Sequence, residues 1–358
     1  MRARGRYLIG TVIVLWAVSI GKPTAQEHVT LRSDVLLYGD NTEFSNPFRE
    51  GETILGAGVW LFADVALSPR VSLSLGVFGN QRFGSDRAFE LVRPVVSLTA
   101  RRGRTTLIFG TFPARRADAP MGPDRMGPHG LLPPLQRETL AFDRPHEAGL
   151  QWTIAGASLR QNMWLSWQRI NTAAHRERFN GGLDAELRTT SVLSFPYQIH
   201  VVHQGGQLFA SGPVADSAAA AAGVKVKPPV GSMDGVSIET YGLISRFVPD
   251  RSQPALSRDG VAFFGRAAFE RDGWRGHMIL WRGRNFIKDE GDPNYMSLTR
   301  HGARYRGTRD YAEIGVARRI QMASGAALEI SGRYYRIERN YEYSYRVTST
   351  INLGWRLR

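Results

Sequence analysis

The chain ends YSYRVTSTINLGWRLR, and in this stretch apolar and polar residues alternate for about thirteen positions. Tyr345, Val347, Ile351, Leu353, Trp355 and Leu357 fall on one face, and Arg346, Thr348, Thr350, Asn352 and Arg356 on the other. Successive side chains of a strand point to opposite sides, so the pattern describes a strand that is greasy on one face and polar on the other. A strand in a soluble sheet usually runs about five or six residues. The same long alternation recurs upstream. Leu55, Ala57, Val59, Leu61, Ala63, Val65 and Leu67 share one face, with Ile54, Gly56, Gly58, Trp60, Phe62 and Asp64 opposite. The helical period is nearly absent after residue 26.

Turn signals at Ser68-Pro69, Arg102-Gly103, Ala155-Gly156, Leu193-Ser194, Asp272-Gly273 and Ser324-Gly325 cut the pattern into strands. The spacing predicts sixteen strands between residues 28 and 357, joined alternately by seven tight turns and eight longer connections. In a bilayer every backbone N–H and C=O needs a partner, and a closed sheet supplies all of them. Strands of about 9–11 residues cross the apolar band with one face to lipid and one to the lumen. The expected fold is therefore all-β: a transmembrane, antiparallel, up-and-down barrel of about sixteen strands with long outer loops. No later segment is long and apolar enough for a transmembrane helix.

The N-terminus reads as an export signal. Arg2, Arg4 and Arg6 precede an apolar run from Leu8 to Ile20, followed by Gly21-Lys22-Pro23-Thr24-Ala25. The expected organisation is a signal peptide over 1–25 and a barrel over 26–358. Formal charge is +14; removal of three Arg and one Lys leaves 14 − 4 = +10. There is no cysteine, which excludes a disulfide framework, a thiolate metal site and a cysteine nucleophile. Arginine is spread along the chain with acids interleaved, so no basic stripe for nucleic acid is formed.

These features together resemble a Gram-negative outer-membrane β-barrel of the general porin kind. The resemblance covers nearly all of residues 27–358 and is one of pattern, without a diagnostic motif. It implies a place in the outer membrane, contact with its lipid and lipopolysaccharide, insertion by the barrel-assembly machinery, and a homo-oligomer as one possible state. Such barrels typically finish on an aromatic residue, whereas this chain carries Trp355 and runs on through Arg356, Leu357 and Arg358.

Two sets of residues are candidates for function. Alternation places Arg32, Arg93, Arg160, Asp184, Glu186, Arg188, Arg266, Glu313, Arg333 and Arg346 on the lumen face, where rings of charge would bias the passage of small polar, and on balance anionic, solutes. The alternative for each is pairing across strands that stiffens the wall. The second set lies on the long Pro- and Gly-rich loop over 113–145, where Arg115, Arg116, Asp124, Arg125 and His129 would narrow the pore if the loop folds inward. Inward Trp60, Phe62 and Trp164 suggest a minor reading as a sugar ladder. Tyr38, Phe78, Trp152, Trp167, Phe247, Trp281, Tyr334, Tyr343 and Trp355 fit interfacial girdles.

No HExxH, P-loop or GxSxG motif is present. His200 and His203 stand three apart on a strand and face opposite sides, so they cannot hold one metal. The expectation is a solute channel that is not an enzyme and needs no cofactor. The alternative is a barrel with a closed lumen that acts through its surface loops as an enzyme, adhesin or export component. His129, His146, His175 and His301 near the outer loops are its possible catalytic groups.

Overall fold

The computed structural model describes residues 29–114, 128–299 and 307–357; the expected signal segment lies outside them. Sixteen strands close into one antiparallel barrel. In chain order they are β1 (Val29–Glu43), β2 (Glu52–Ser68), β3 (Val71–Arg82), β4 (Leu91–Arg102), β5 (Thr105–Pro113), β6 (His146–Ala155), β7 (Leu159–Arg169), β8 (Glu177–Arg188), β9 (Leu193–Gly205), β10 (Ala215–Val226), β11 (Gly235–Val248), β12 (Arg258–Arg271), β13 (Trp274–Arg284), β14 (Thr308–Ala323), β15 (Ala326–Ile337) and β16 (Asn340–Leu357). Each pairs with its neighbours in sequence. β16 returns to β1 in a register that runs from Val29 opposite Leu357 to Glu43 opposite Tyr343. Every strand thus has two partners, and no open edge meets lipid. Among the described residues no helix is long and apolar enough to cross a membrane; the strands do the crossing.

Alternation sorts the side chains as the sequence requires. Leu61, Ile244 and Ile314 point outward and are exposed, while their neighbours Trp60, Ser245 and Glu313 point inward and are buried. The five-alanine run forms β10, with Ala219 and Ala221 buried inward. Trp152, Trp167, Tyr334, Tyr343 and Trp355 stand on the outer wall. Tyr38, Phe78 and Trp281 do not join them: they are buried inside the barrel. A position near a strand end says nothing of the face, and all three share the parity of lumen residues.

Both described ends of the chain lie at the end of the barrel that carries the tight turns. Six of the seven turn-end links have four residues or fewer, and the link from β10 to β11 has eight. At the opposite end most connections are longer, but β15 and β16 are joined by Glu338 and Arg339 alone. Glu338 takes a positive φ of 57° to make that turn.

Candidate functional site

Two loop-end connections turn inward instead of covering the rim. Segment 128–145 is the later part of the connection from β5 to β6, and segment 285–299 follows β13. Leu131, Leu132, Leu135, Phe286 and Tyr295 on these segments are buried. They form one apolar cluster with Phe112, Trp164, Tyr241, Phe264, Trp281, Tyr311 and Tyr335, which project from the wall. Leu36, Tyr38, Trp60 and Phe78 close the remaining side around Phe142. Phe142 belongs to α1 (Leu140–Asp143), a single turn stacked on Tyr38 with ring centroids 4.7 Å apart. Wall residues from β1–β5, β7 and β10–β15 take part, so the two segments lie across the outer half of the lumen.

Polar contacts latch this plug. Glu290 is one hub. Its Oε1 accepts from Gln168 at 2.9 Å and pairs with Arg144 at 2.9 Å and Arg178 at 3.2 Å. Its Oε2 accepts from Asn180 and Gln136, each at 3.3 Å, and lies 3.7 Å from His200 Nε2. Burial by itself would raise this carboxyl, but Arg144, His200 and Arg178 outweigh it and hold Glu290 well below the usual carboxylate range. Glu138 is the second hub. Its Oε2 pairs with Arg333 at 2.5 Å and Arg346 at 3.3 Å; Arg346 in turn binds Asp40. Arg333 also reaches Glu313 at 3.7 Å, and Glu313 accepts from His277 at 2.7 Å.

Lys288, two residues before Glu290, is buried and donates to the Asp289 carbonyl at 2.6 Å. Burial pulls its ammonium down to about 8, against the opposing pull of Glu290 and Asp289. The folded chain releases this proton near pH 8 and the unfolded chain near 10.5. Between these values the unfolded state binds more protons, so stability rises with pH. Relative to a Lys288→Met variant, the urea midpoint of the refolded barrel is expected to climb above pH 8. Parallel pH profiles for the two proteins would refute this.

The sequence-predicted lumen residues Arg32, Arg93, Arg160, Asp184, Glu186, Arg188, Arg266, Glu313, Arg333 and Arg346 all lie on the inner face. Most pair along the wall. Arg160 reaches Asp184 at 2.8 Å and Glu186 at 3.4 Å, Arg188 reaches Glu186 at 3.6 Å, Arg266 reaches Glu239 at 3.3 Å, and Arg32 reaches Asp64 at 2.5 Å. Arg93 is exposed. Of the loop residues, Arg115, Arg116, Asp124 and Arg125 lie outside the described residues. His129 is buried in the plug, stacked on Trp164 at 3.8 Å and 3.4 Å from Glu147. On the turn side of the plug a cavity of about 1230 Å³ remains, roofed by Trp60, Pro113, Pro145 and His146. With segments 128–145 and 285–299 across the lumen, the folded barrel is expected to give no discrete conductance steps in a planar bilayer. Long-lived steps from the wild-type protein would mean that segment 128–145 leaves the lumen.

A different cluster stands on the outer wall at the loop end. His200 points into the plug, and His203, three residues on, points outward. Its Nδ1 donates to Asp216 Oδ1 at 2.7 Å, from the directly opposed position on β10. A carboxylate only accepts, so Nδ1 carries a proton, and Nε2 is the ring nitrogen turned away from the carboxylate. Arg251 clasps the same carboxylate, with Nε at 2.5 Å from Oδ2 and Nη2 at 2.9 Å from Oδ1.

The local fold makes room for this ring. A Cβ at Gly205 would lie 2.3 Å from His203 Nε2, and one at Gly206 would lie 2.7 Å from the Asn171 side chain. Gly206 also has φ +106°, a backbone that glycine supplies without strain. Asn171 ties the two adjoining loops together, accepting from Phe209 N at 2.7 Å and donating to Phe209 O at 3.1 Å. Arg176 braces the same loop through Gly206 O at 2.8 Å and Gly212 O at 3.0 Å. Phe179 lies 4.9 Å from the His203 ring and 5.1 Å from Trp167. Ile170, Leu208 and Phe209 are exposed around it. Beside Trp167 the ladder slips by one residue, which re-aims the end of β7. The sequence reading used His203 only to dismiss a metal site, and it gave Asp216 no role. Only the β9–β10 register brings the two together.

The closed barrel defines the class: an outer-membrane β-barrel protein. Its fold is similar to that of OmpT, an outer membrane protein of Vibrio cholerae, in a form lacking loop L8, with TM-score 0.57 and 10% identity over 92% of this chain and 100% of that one. OccK8 (OprE) of Pseudomonas aeruginosa gives TM-score 0.53 at 12% identity over 91% and 98%. OccAB1 of Acinetobacter baumannii gives 0.52 at 11% over 92% and 96%. At these identities the likeness is one of fold. No curated protein matches the chain in sequence. Residues 21–358 match the lipid A 3'-O-deacylase-type family, and the chain belongs to that family. The family is one of enzymes, which overturns the expectation that this barrel is not an enzyme. That expectation rested on missing linear motifs, but groups converging from separate strands leave no such motif.

Proposed function

We propose that this barrel is an outer-membrane acyl-ester hydrolase that acts on lipid A-type glycolipid of the outer leaflet. The observation that carries the reading is the His203–Asp216 pair. It is a histidine–carboxylate couple on the lipid-facing wall, at the loop end of its strands, with Nε2 facing away from its partner. Family membership supports the reaction class. The two segments across the outer half of the lumen weigh against a reading based on solute passage.

In this scheme His203 Nε2 takes a proton from water as the water attacks an acyl carbonyl. Asp216 holds the ring in its Nδ1–H tautomer and stabilises the imidazolium that forms. The imidazolium then protonates the departing sugar oxygen, giving a free fatty acid and a sugar hydroxyl. Exposed Ile170, Leu208, Phe209 and Trp167 offer an apolar ledge for acyl chains. Arg251, exposed beside the pair, offers a guanidinium to a lipid phosphate in this scheme.

The test is to refold residues 26–358 into vesicles containing lipid A and to follow its acyl content by mass spectrometry. Loss of one ester-linked chain with release of fatty acid is expected. A folded, membrane-inserted barrel that leaves lipid A intact would overturn the proposal. Gly205→Ala provides a finer check. Its methyl group must displace the His203 ring, so acyl release is expected to fall while the barrel still folds, because the obstacle is a movable side chain. Unchanged turnover would show that the Nε2 position is not used.

A further inference from the structure

Two neighbouring tight turns carry four arginines. Arg101, Arg102 and Arg104 surround Gly103 where β4 passes into β5, and Arg70 sits in the turn from β2 to β3. The turns are joined, because Arg101 N donates to Arg70 O at 2.8 Å. Both are held in shape. Gly103 takes a positive φ of 57°, which a two-residue hairpin turn requires and glycine supplies without strain. Ser68 Oγ accepts from Val71 N at 3.1 Å and braces the other turn. All four arginines are exposed, and by the strand spacing their Cα atoms lie within roughly 10 Å of one another. Cations this close repel, so an anion that joins them is favoured. No acid among the described residues does so. In the turn-end halves of β1–β6 the acids are Asp34 and Asp64, both on the lumen face, and Asp64 is taken by Arg32 at 2.5 Å.

The wall beside these turns is apolar. Leu67, Leu98 and Leu107 point outward and are exposed. Arg102 shares the parity of Leu98 and points outward, while Arg101 points inward and donates to Ser72 at 3.2 Å. The outer surface thus passes within a few residues from a greasy wall to a cluster of guanidinium groups. In barrels of this class the short turns face the periplasm, so the cluster stands at the headgroup level of the inner leaflet. Basic clusters at a membrane surface attract anionic lipid, and guanidinium forks take phosphate oxygens in pairs. A soluble anion would use the arginines alone, whereas the apolar wall next to them fits acyl chains. We infer that this cluster binds an anionic phospholipid with two phosphates, of the cardiolipin class. Arg70, Arg102 and Arg104 hold the phosphates, and the acyl chains lie along Leu67, Leu98 and Leu107. The site is independent of the proposed hydrolase chemistry, which lies at the loop end of β9 and β10.

Native mass spectrometry of the refolded full barrel in detergent tests this, with tetraoleoyl cardiolipin as probe. The controls are phosphatidylethanolamine, which has no net charge, and the deacylated cardiolipin headgroup, which keeps both phosphates. Saturable retention of cardiolipin is expected, with far less of either control. Retention should fall as salt rises. Arg70→Gln and Arg104→Gln should each weaken it about fivefold, the scale of one basic residue beside an anionic headgroup. The Arg70→Gln/Arg102→Gln/Arg104→Gln triple variant should weaken it about a hundredfold. Its barrel should still fold, since the side chains are exposed and the ladder is made by backbone, and the heat-dependent shift of a folded barrel on a gel checks this. The triple variant should release acyl chains from lipid A as the wild type does. His203→Ala should retain cardiolipin as the wild type does, so the two readings fail separately. Equal retention of phosphatidylethanolamine would overturn the inference, as would wild-type retention in the triple variant. Equal retention of the deacylated headgroup would show a site for soluble anions and would overturn it as well.

Discussion

His203→Ala is expected to lower acyl release from lipid A by about 10²–10⁴-fold, the usual scale of a general base. The barrel should still fold. His203 points outward, its backbone remains in the β9–β10 ladder, and no buried group loses a partner inside the lumen. The loss should fall on kcat more than on KM, because the proton transfer is made only in the transition state. Asp216→Asn should produce a loss of similar order while preserving shape, since an amide no longer enforces the Nδ1–H tautomer or stabilises imidazolium. Arg251→Gln should cost less, because Asp216 keeps His203 in place without it. Wild-type turnover in both His203→Ala and Asp216→Asn would dismiss the outer-wall site and leave the family's chemistry to be sought elsewhere on the barrel.

Glu290→Ala is expected to destabilise the plug by about 3–5 kcal/mol, the usual cost of removing one partner from a buried ion pair. Arg144, Arg178 and His200 would be left facing one another without the carboxylate that joins them. The change should appear as a lower urea midpoint, as protease cleavage within 128–145, and as conductance steps not expected of the wild-type barrel. Glu290→Gln keeps the shape and should lose less. The pH dependence has a defined sign. A carboxyl depressed in the folded state contributes stability that is complete above its unfolded value of 4.5 and is lost as pH falls through the lower folded value. The gap in stability between wild type and Glu290→Gln should therefore hold from neutral pH to about 4.5 and close below it. A gap that does not vary with pH, or a plug equally resistant to protease in Glu290→Ala, would show that the apolar cluster alone holds segments 128–145 and 285–299.

The two sites differ in how far they could be read from residues. The lumen face was legible position by position, because a period of two assigns each side chain to one of two faces once the strand is recognised. Arg160, Asp184 and Glu186 could be placed inside without a structure. Their mutual pairing could not, since it depends on which residues stand opposite one another across β7 and β8. The catalytic candidate escaped for the same reason. His203 and Asp216 are ordinary residues on separate strands, and their one distinguishing property is a shared register position.

By itself the sequence determined the class of fold, the strand number and the alternation of faces along each strand. Those follow from local periodicity and from the bilayer's demand that every backbone polar group be paired. Only the tertiary structure decided that segments 128–145 and 285–299 occupy the lumen, that Glu290 and Glu138 latch them, and that a histidine–carboxylate pair stands on the outer wall. These features depend on contacts between residues far apart in the chain, such as Glu290 with Arg144 and Arg346 with Asp40. No period or motif encodes such a meeting; it exists only once the barrel has closed and brought β1 beside β16.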